Sequence, residues 1–138
     1  MKLMVVDGQG GGIGATIIKG LREAIGEEAE ILALGTNTIA TSMMMKAGAN
    51  RGATGENAIV QTSPRVDIII GPLAIIISNA MMGELTPGIA AAISSSRARK
   101  ILVPITQENV KIVGLTGEPF PHLVEQAIQL IKEIYKNV

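Results

Sequence analysis

The chain has 138 residues, enough for one domain with a proper core, and 47% are hydrophobic against 17% charged, too apolar a balance for a disordered segment. Twelve acids and twelve bases cancel without forming a block of either sign, so the basic face that nucleic acid requires is missing. There are no cysteines and a single histidine, His122, which excludes disulfides, thiolate metal sites, iron–sulfur clusters and cysteine nucleophiles and gives no expectation of a bound metal.

In chain order, Leu3-Met4-Val5-Val6 is an apolar run of the kind buried on both faces of a parallel sheet, and it stops at Asp7-Gly8. Ile13, Ile17, Ile18, Leu21 and Ile25 recur at helical spacing, with Gly26 as the stop. Ile31-Leu32-Ala33-Leu34 predicts a second strand, ending at Gly35-Thr36-Asn37, and residues 38–47 a helix with Ile39, Met43 and Ala47 on one face. Residues 48–57 read as a polar loop, followed by a short helix at 58–61. The third strand is Val66-Asp67-Ile68-Ile69-Ile70, closed by Gly71-Pro72; residues 73–82 read as helix, with strand as the alternative. Thr86-Pro87 is a helix start, a capping hydroxyl followed by proline at the first helical position, for a helix running to about residue 99. Residues 100–103 and 110–113 supply two further strands, and the short gap between them favours an antiparallel pair. Residues 121–136 form an amphipathic helix.

Strands alternating with helices predict an α/β protein of Rossmann-like, three-layer form: a mostly parallel sheet of about five strands with helices on both faces, in one domain over residues 1–138. The most apolar stretch, residues 68–77, is half the ~20 residues a membrane helix needs and is broken by Gly71-Pro72. No signal-peptide run precedes the first glycines, so the expected location is cytoplasmic, without a membrane partner.

Asp7-Gly8-Gln9-Gly10-Gly11-Gly12-Ile13-Gly14 joins the first strand to the first helix. Glycines there permit a tight turn and a close approach of backbone to a ligand, and the free N–H groups and dipole of the helix start favour a phosphate. Gly10, Gly12 and Ala15 fit the G-x-G-x-x-A form of the dinucleotide fingerprint; Gly8, Gly12 and Gly14 fit G-x-x-x-G-x-G. A tight turn that binds nothing is the alternative, but five glycines in seven residues exceed what a turn requires. No Gly-Lys-Ser/Thr follows, which argues against a Walker-type ATPase.

The expectation is a nucleotide-binding protein, with NAD or NADP as cofactor, in which Gly8, Gln9, Gly10, Gly11, Gly12, Ile13 and Gly14 hold the diphosphate. Where Rossmann sites place an acid for the ribose, this chain has Thr36 and Asn37, which would bond the ribose or cap the next helix. Whether such a protein transfers hydride or only senses the cofactor is open. A second reading is an enzyme on a phosphorylated metabolite, with Arg51, Asn79 and Glu84 as substrate-binding residues and Glu84 as a possible acid or base. Arg51 meets a geometric objection, because a helix after the second strand returns the chain to the edge away from the ligand. A third reading is a non-catalytic assembly protein. Asp7 would brace the loop or meet a cation, and His122 is expected in solvent. A homo-oligomer is expected from the long low-charge segment with Met81 and Met82 beside the methionines at 43–45.

The run Asp7 to Gly14, with Ala33-Leu34-Gly35-Thr36-Asn37, Ala47-Gly48-Ala49-Asn50-Arg51-Gly52-Ala53-Thr54-Gly55-Glu56-Asn57-Ala58, Ile70-Gly71-Pro72 and Gly83-Glu84-Leu85-Thr86-Pro87, resembles an uncharacterised family of small proteins from mainly anaerobic bacteria, a domain of unknown function. That resemblance implies no activity and no catalytic residues. Gly12-Ile13-Gly14 alone resembles the loop of the short-chain dehydrogenase/reductase family. The family's tyrosine with a lysine four residues on is missing: the one tyrosine, Tyr135, lies in the last helix as a packing residue.

Overall fold

The structure is a computed structural model that describes residues 1–105 and 108–136. Five strands, β1 (Lys2–Asp7), β2 (Glu30–Gly35), β3 (Arg51–Thr54), β4 (Ile68–Pro72) and β5 (Arg99–Val103), form one sheet in the order β3-β2-β1-β4-β5. Every pairing is parallel, with Leu3 opposite Ile31 on one side and Ile68 on the other. Among the described residues five α-helices connect or follow them: α1 (Gly12–Ile25), α2 (Thr38–Lys46), α3 (Glu56–Thr62), α4 (Pro87–Ser95) and α5 (Phe120–Lys136).

Side-chain alternation along the strands divides the interior in two. Leu3 and Val5 of β1, with Ile31, Ile68 and Ile70, pack against Ile17, Ile18 and Leu21 of α1, Met44 of α2 and Val124, Ala127 and Ile131 of α5. On the other face Met4, Val6, Leu34 and Ile69 meet Ile59 of α3 and Leu85, Ile89 and Ile93 around α4. The result is the expected three-layer α/β arrangement of Rossmann type. The chain winds outward from β1 to β3, then returns past β1 to β4, so the winding direction reverses between β1 and β4. In open α/β sheets such a reversal opens a crevice at the carboxyl ends of the strands.

Four expectations need correction. The polar stretch at 48–57 contains strand β3: Leu32 to Gly35 of β2 pair with Arg51 to Thr54, and Asn50 N–H donates to Ile31 O at 2.8 Å. Its four residues are all exposed and its composition is small and polar, so no apolar run marked it. Residues 110–113 form no strand: Val113 is 99% exposed, and the segment lacks the burial that would offset the entropy of ordering it. The antiparallel pair inferred from it goes with it, since residues 99–103 run parallel to β4. Residues 73–82 are neither long helix nor strand, but a single 3-10 turn, Leu73–Ile76, followed by tight turns. Helix α4 also stops at Ser95, and Arg99 already belongs to β5.

The amphipathic pattern of α5 yields a direct test of its docking. Ile131 is fully buried against the sheet, whereas its neighbour Leu130 lies on the outer face. Ile131→Ala should lower the free energy of unfolding by roughly 2–5 kcal/mol, and Leu130→Ala by far less. The check is the urea midpoint at unchanged slope; equal effects of the two substitutions would mean that α5 does not pack as described.

Candidate functional site

Strand β1 ends inside the protein. Asp7 is 3% exposed, and its carboxylate accepts Gly8 N–H at 2.8 Å on Oδ1 and Gly14 N–H at 2.7 Å on Oδ2. Burial pushes the Asp7 carboxyl above its ordinary 3.8; the N–H groups of Gly14, Gly8 and Ile13 oppose that rise, and the Glu84 carboxylate adds to it. Asp7 therefore braces the loop, closing it around its own side chain.

The glycines of this loop divide into two sets. Gly11 caps α1 in a left-handed conformation (φ 76°), and a Cβ there would stand 2.7 Å from the Ala40 backbone. A Cβ on Gly8 would meet Met81 Sδ and Thr36 Oγ1 at 2.6 Å, and one on Gly14 would meet Met44 Sδ at 2.5 Å. Packing accounts for these three. A Cβ on Gly10 or Gly12 would meet nothing within 4 Å, and both residues are exposed at ordinary backbone angles. Their N–H groups have no acceptor among the described residues, whereas the N–H groups of Gly8, Gln9, Gly11 and Gly14 are all taken. Two open donors thus stand at the start of α1, in the field of its dipole.

Thr36 and Asn37 follow β2 at the same edge and turn inward to protein partners. Asn37 Oδ1 accepts Ala40 N–H at 2.9 Å, capping α2. Its Nδ2 donates to Gln9 O at 3.0 Å and to Glu84 Oε1 at 2.8 Å, while Thr36 Oγ1 donates to the same Oε1 at 2.7 Å. Gln9 N–H completes three donors on that one oxygen, at 2.9 Å. Burial pushes the Glu84 carboxyl up, but the Gln9, Thr36 and Asn37 donors outweigh it and hold it below its ordinary 4.5.

Glu84 is brought there by the turns that follow β4. Asn79, Met81 and Met82 adopt left-handed angles of 67°, 56° and 57°, with Gly83 at 90°, so four of five consecutive residues are in that region. Non-glycine residues hold such angles at a cost of order 1–3 kcal/mol each and only where their surroundings impose them. Met81 N–H donates to Glu108 Oε1 at 2.8 Å, Asn79 N–H to Leu85 O at 2.6 Å, and Glu84 ties the end of the segment to β2's. Asn79 and Gly83 were the visible turn formers in the sequence; the Glu84–Thr36 contact, spanning β1, had no local signal.

Of the residues expected around a phosphorylated metabolite, Glu84 and Asn79 share the carboxyl edge with the glycine loop, and Arg51 does not. Arg51 opens β3, at the opposite edge, and pairs with Glu30 at 2.5 Å. Asn50 beside it is likewise structural, accepting Ile31 N–H at 2.7 Å and Arg22 Nη2 at 2.6 Å. Glu56 accepts the Thr86 hydroxyl, joining the starts of α3 and α4. His122 is half exposed and paired with Glu118. Tyr135 packs on the core from α5, and its hydroxyl donates to Met1 O, just before β1, at 3.5 Å. A cavity of about 720 Å³ opens at the amino edge between β5 and α5, lined by Met1, Asp67, Arg97, Arg99 and Leu130 among others. Among the described residues no three acidic or histidine side chains gather at metal-ligand spacing.

The buried Asp7 has a titration consequence. Above pH 3.8 the unfolded chain releases this proton before the folded chain does, so its contribution to stability falls as pH rises through that window. Glu84 acts with the opposite sign, its contribution being present above 4.5 and lost as pH falls below that value. The difference in unfolding free energy between the parent and Asp7→Asn, followed by urea melts from about pH 3 to pH 7, should isolate the Asp7 slope. A parent and variant with parallel pH curves would rule it out.

No curated protein matches the chain significantly. Among solved structures, a dodecameric FMN-dependent UbiX-like decarboxylase from Escherichia coli O157:H7 is similar at 13% identity and a TM-score of 0.47, over 99% of this chain and 94% of that one. The family model for a domain of unknown function, DUF3842, matches residues 2–136, and the chain belongs to that family.

Proposed function

We propose that the loop from Gly8 to Gly14 binds the phosphate of a small nucleotide-class ligand, with the N–H groups of Gly10 and Gly12 as its donors. The observation that carries this reading is that these two glycines alone in the loop are free of any packing reason to be glycine and, among the described residues, of any acceptor for their N–H groups. A ligand oxygen approaching the backbone closely accounts for both features, because a Cβ would occupy the ligand's place and the exposed N–H groups, otherwise left to solvent, would donate to it.

NAD and NADP remain the first ligands to test, but the ligand we favour is smaller. A Rossmann dinucleotide lays its adenosine across the end of the second strand. There Glu84 is bonded to Thr36 and Asn37, whose donors are occupied. No lysine or arginine occurs in residues 7–14, 35–38 or 78–86, so the site offers backbone dipoles to one phosphate and no cation to a second. A mononucleotide or sugar phosphate suits those terms.

The test is Gly12→Val, which should fold like the parent, since its side chain would project into open space. A ligand at a hundred times its dissociation constant adds roughly 2.7 kcal/mol to the parent's stability, and the variant should lose that gain. Thermal melts with inorganic phosphate, AMP, FMN, NAD and NADP read it. A folded variant that responds as the parent does would reduce the glycines to a turn.

Self-association belongs to the same reading. Ile39 and Met43 stand 68% and 44% exposed on α2, and Met82 is 97% exposed on the turn beside the site. Exposed apolar groups of this size commonly mark interfaces. Sedimentation at micromolar concentration should show a species larger than the monomer, and a monomer throughout would remove this part of the reading.

A further inference from the structure

We propose that Glu84 reads the sugar of the bound ligand: its second oxygen, Oε2, accepts the vicinal hydroxyls of a ribose or ribityl group whose phosphate is held at Gly10 and Gly12, and its charge turns away a second phosphate. This rests on the phosphate reading above and specifies the ligand class for the same site.

The two carboxylate oxygens of Glu84 stand in different circumstances. Oε1 accepts three donors, from Gln9, Thr36 and Asn37, which fixes the plane and direction of the group. Oε2 accepts no bond among the described residues, and the residue is partly exposed at the carboxyl edge. An oriented carboxylate with one open oxygen is an acceptor for hydroxyl donors, and such charge-assisted bonds are short and strong.

Its place relative to the phosphate donors follows from the chain. Gln9 N–H is bonded to Glu84, and the next N–H, that of Gly10, is open. The carboxylate and the phosphate site are therefore one residue apart along a loop that Asp7 holds rigid. With no lysine or arginine in these segments to neutralise it, the carboxylate opposes any further anion there and leaves a neutral polyol as the group that fits. The role that Rossmann sites give to an acid ending the second strand is here filled from beyond β4, by a side chain leaning across β1.

The experiment is calorimetric titration of the parent and of Glu84→Gln with inorganic phosphate, ribose 5-phosphate and 2-deoxyribose 5-phosphate. Glutamine keeps an oxygen for the three donors and replaces only the free, charged acceptor. The parent should favour ribose 5-phosphate over its 2-deoxy analogue by about tenfold, the scale of one charge-assisted hydrogen bond. The variant should lose that preference while binding inorganic phosphate as well as the parent or better. If the parent binds phosphate without discriminating between the sugars, the inference falls and the phosphate reading stands; this comparison needs no variant. If the parent binds none of the three, the phosphate reading falls and takes the inference with it. If Glu84→Gln tightens all three ligands equally and preserves the sugar preference, Glu84 is an internal competitor for the donors and the sugar assignment is overturned.

Discussion

Asp7 ends β1 below the protein surface, where an ionised carboxylate without donors would be costly. The loop supplies those donors by curling back, so that Gly8 N–H and Gly14 N–H reach the two oxygens of one side chain. Everything at the carboxyl edge depends on this closure. It sets where α1 begins, and it uses an N–H of the first helical turn that would otherwise need an outside partner. It also presses Gly11 against Ala40 and Gly14 against Met44, which fixes α2 relative to α1. The N–H groups of Gly10 and Gly12 take no part in that arrangement and find no acceptor among the described residues.

A second carboxylate, from the turns after β4, is treated differently by its surroundings. Asp7 is buried and pushed upward, whereas Glu84 lies nearer to solvent and is held down by three donors. Two acids of similar intrinsic strength thus sit close together with opposite displacements, set by desolvation in one case and hydrogen bonding in the other. The strained angles at Asn79, Met81 and Met82 are maintained by Glu108, Leu85 and the Glu84 bonds at the ends of the segment.

How much of this was legible in the sequence depended on whether a local signal existed. The runs at 3–6, 31–34 and 68–70 are apolar because β1, β2 and β4 are covered on both faces, and the Thr86-Pro87 start of α4 appears as written, with Thr86 Oγ1 accepting Ile89 N–H. Strand β3 was not legible, because it forms by pairing with β2 and by the Asn50–Arg22 contact rather than by burying side chains of its own. Residues 110–113 gave the reverse error: strand-like composition without a neighbour to pair with. The glycine loop was legible from its composition as the turn between β1 and α1, but which glycines serve packing and which stand open depends on Ala40, Met44, Met81 and Thr36, all distant in sequence. Glu84 could be singled out only as an isolated charge; its partners come from two other strand ends.

The two outer strands share a feature with a colloidal consequence. β3 has four residues and opens on Arg51; β5 has five and opens on Arg99 and Lys100. An open sheet presents unpaired backbone groups along its outer strands, a template on which another chain can extend the sheet without limit. Short strands offer few such groups, and the charged side chains that open each edge strand, Arg51 with its partner Glu30 on one side and Arg99 and Lys100 on the other, make an apolar edge-to-edge match unfavourable. The sheet is thereby discouraged from growing sideways into fibrils, even though its centre is built from the isoleucine- and valine-rich segments most prone to do so.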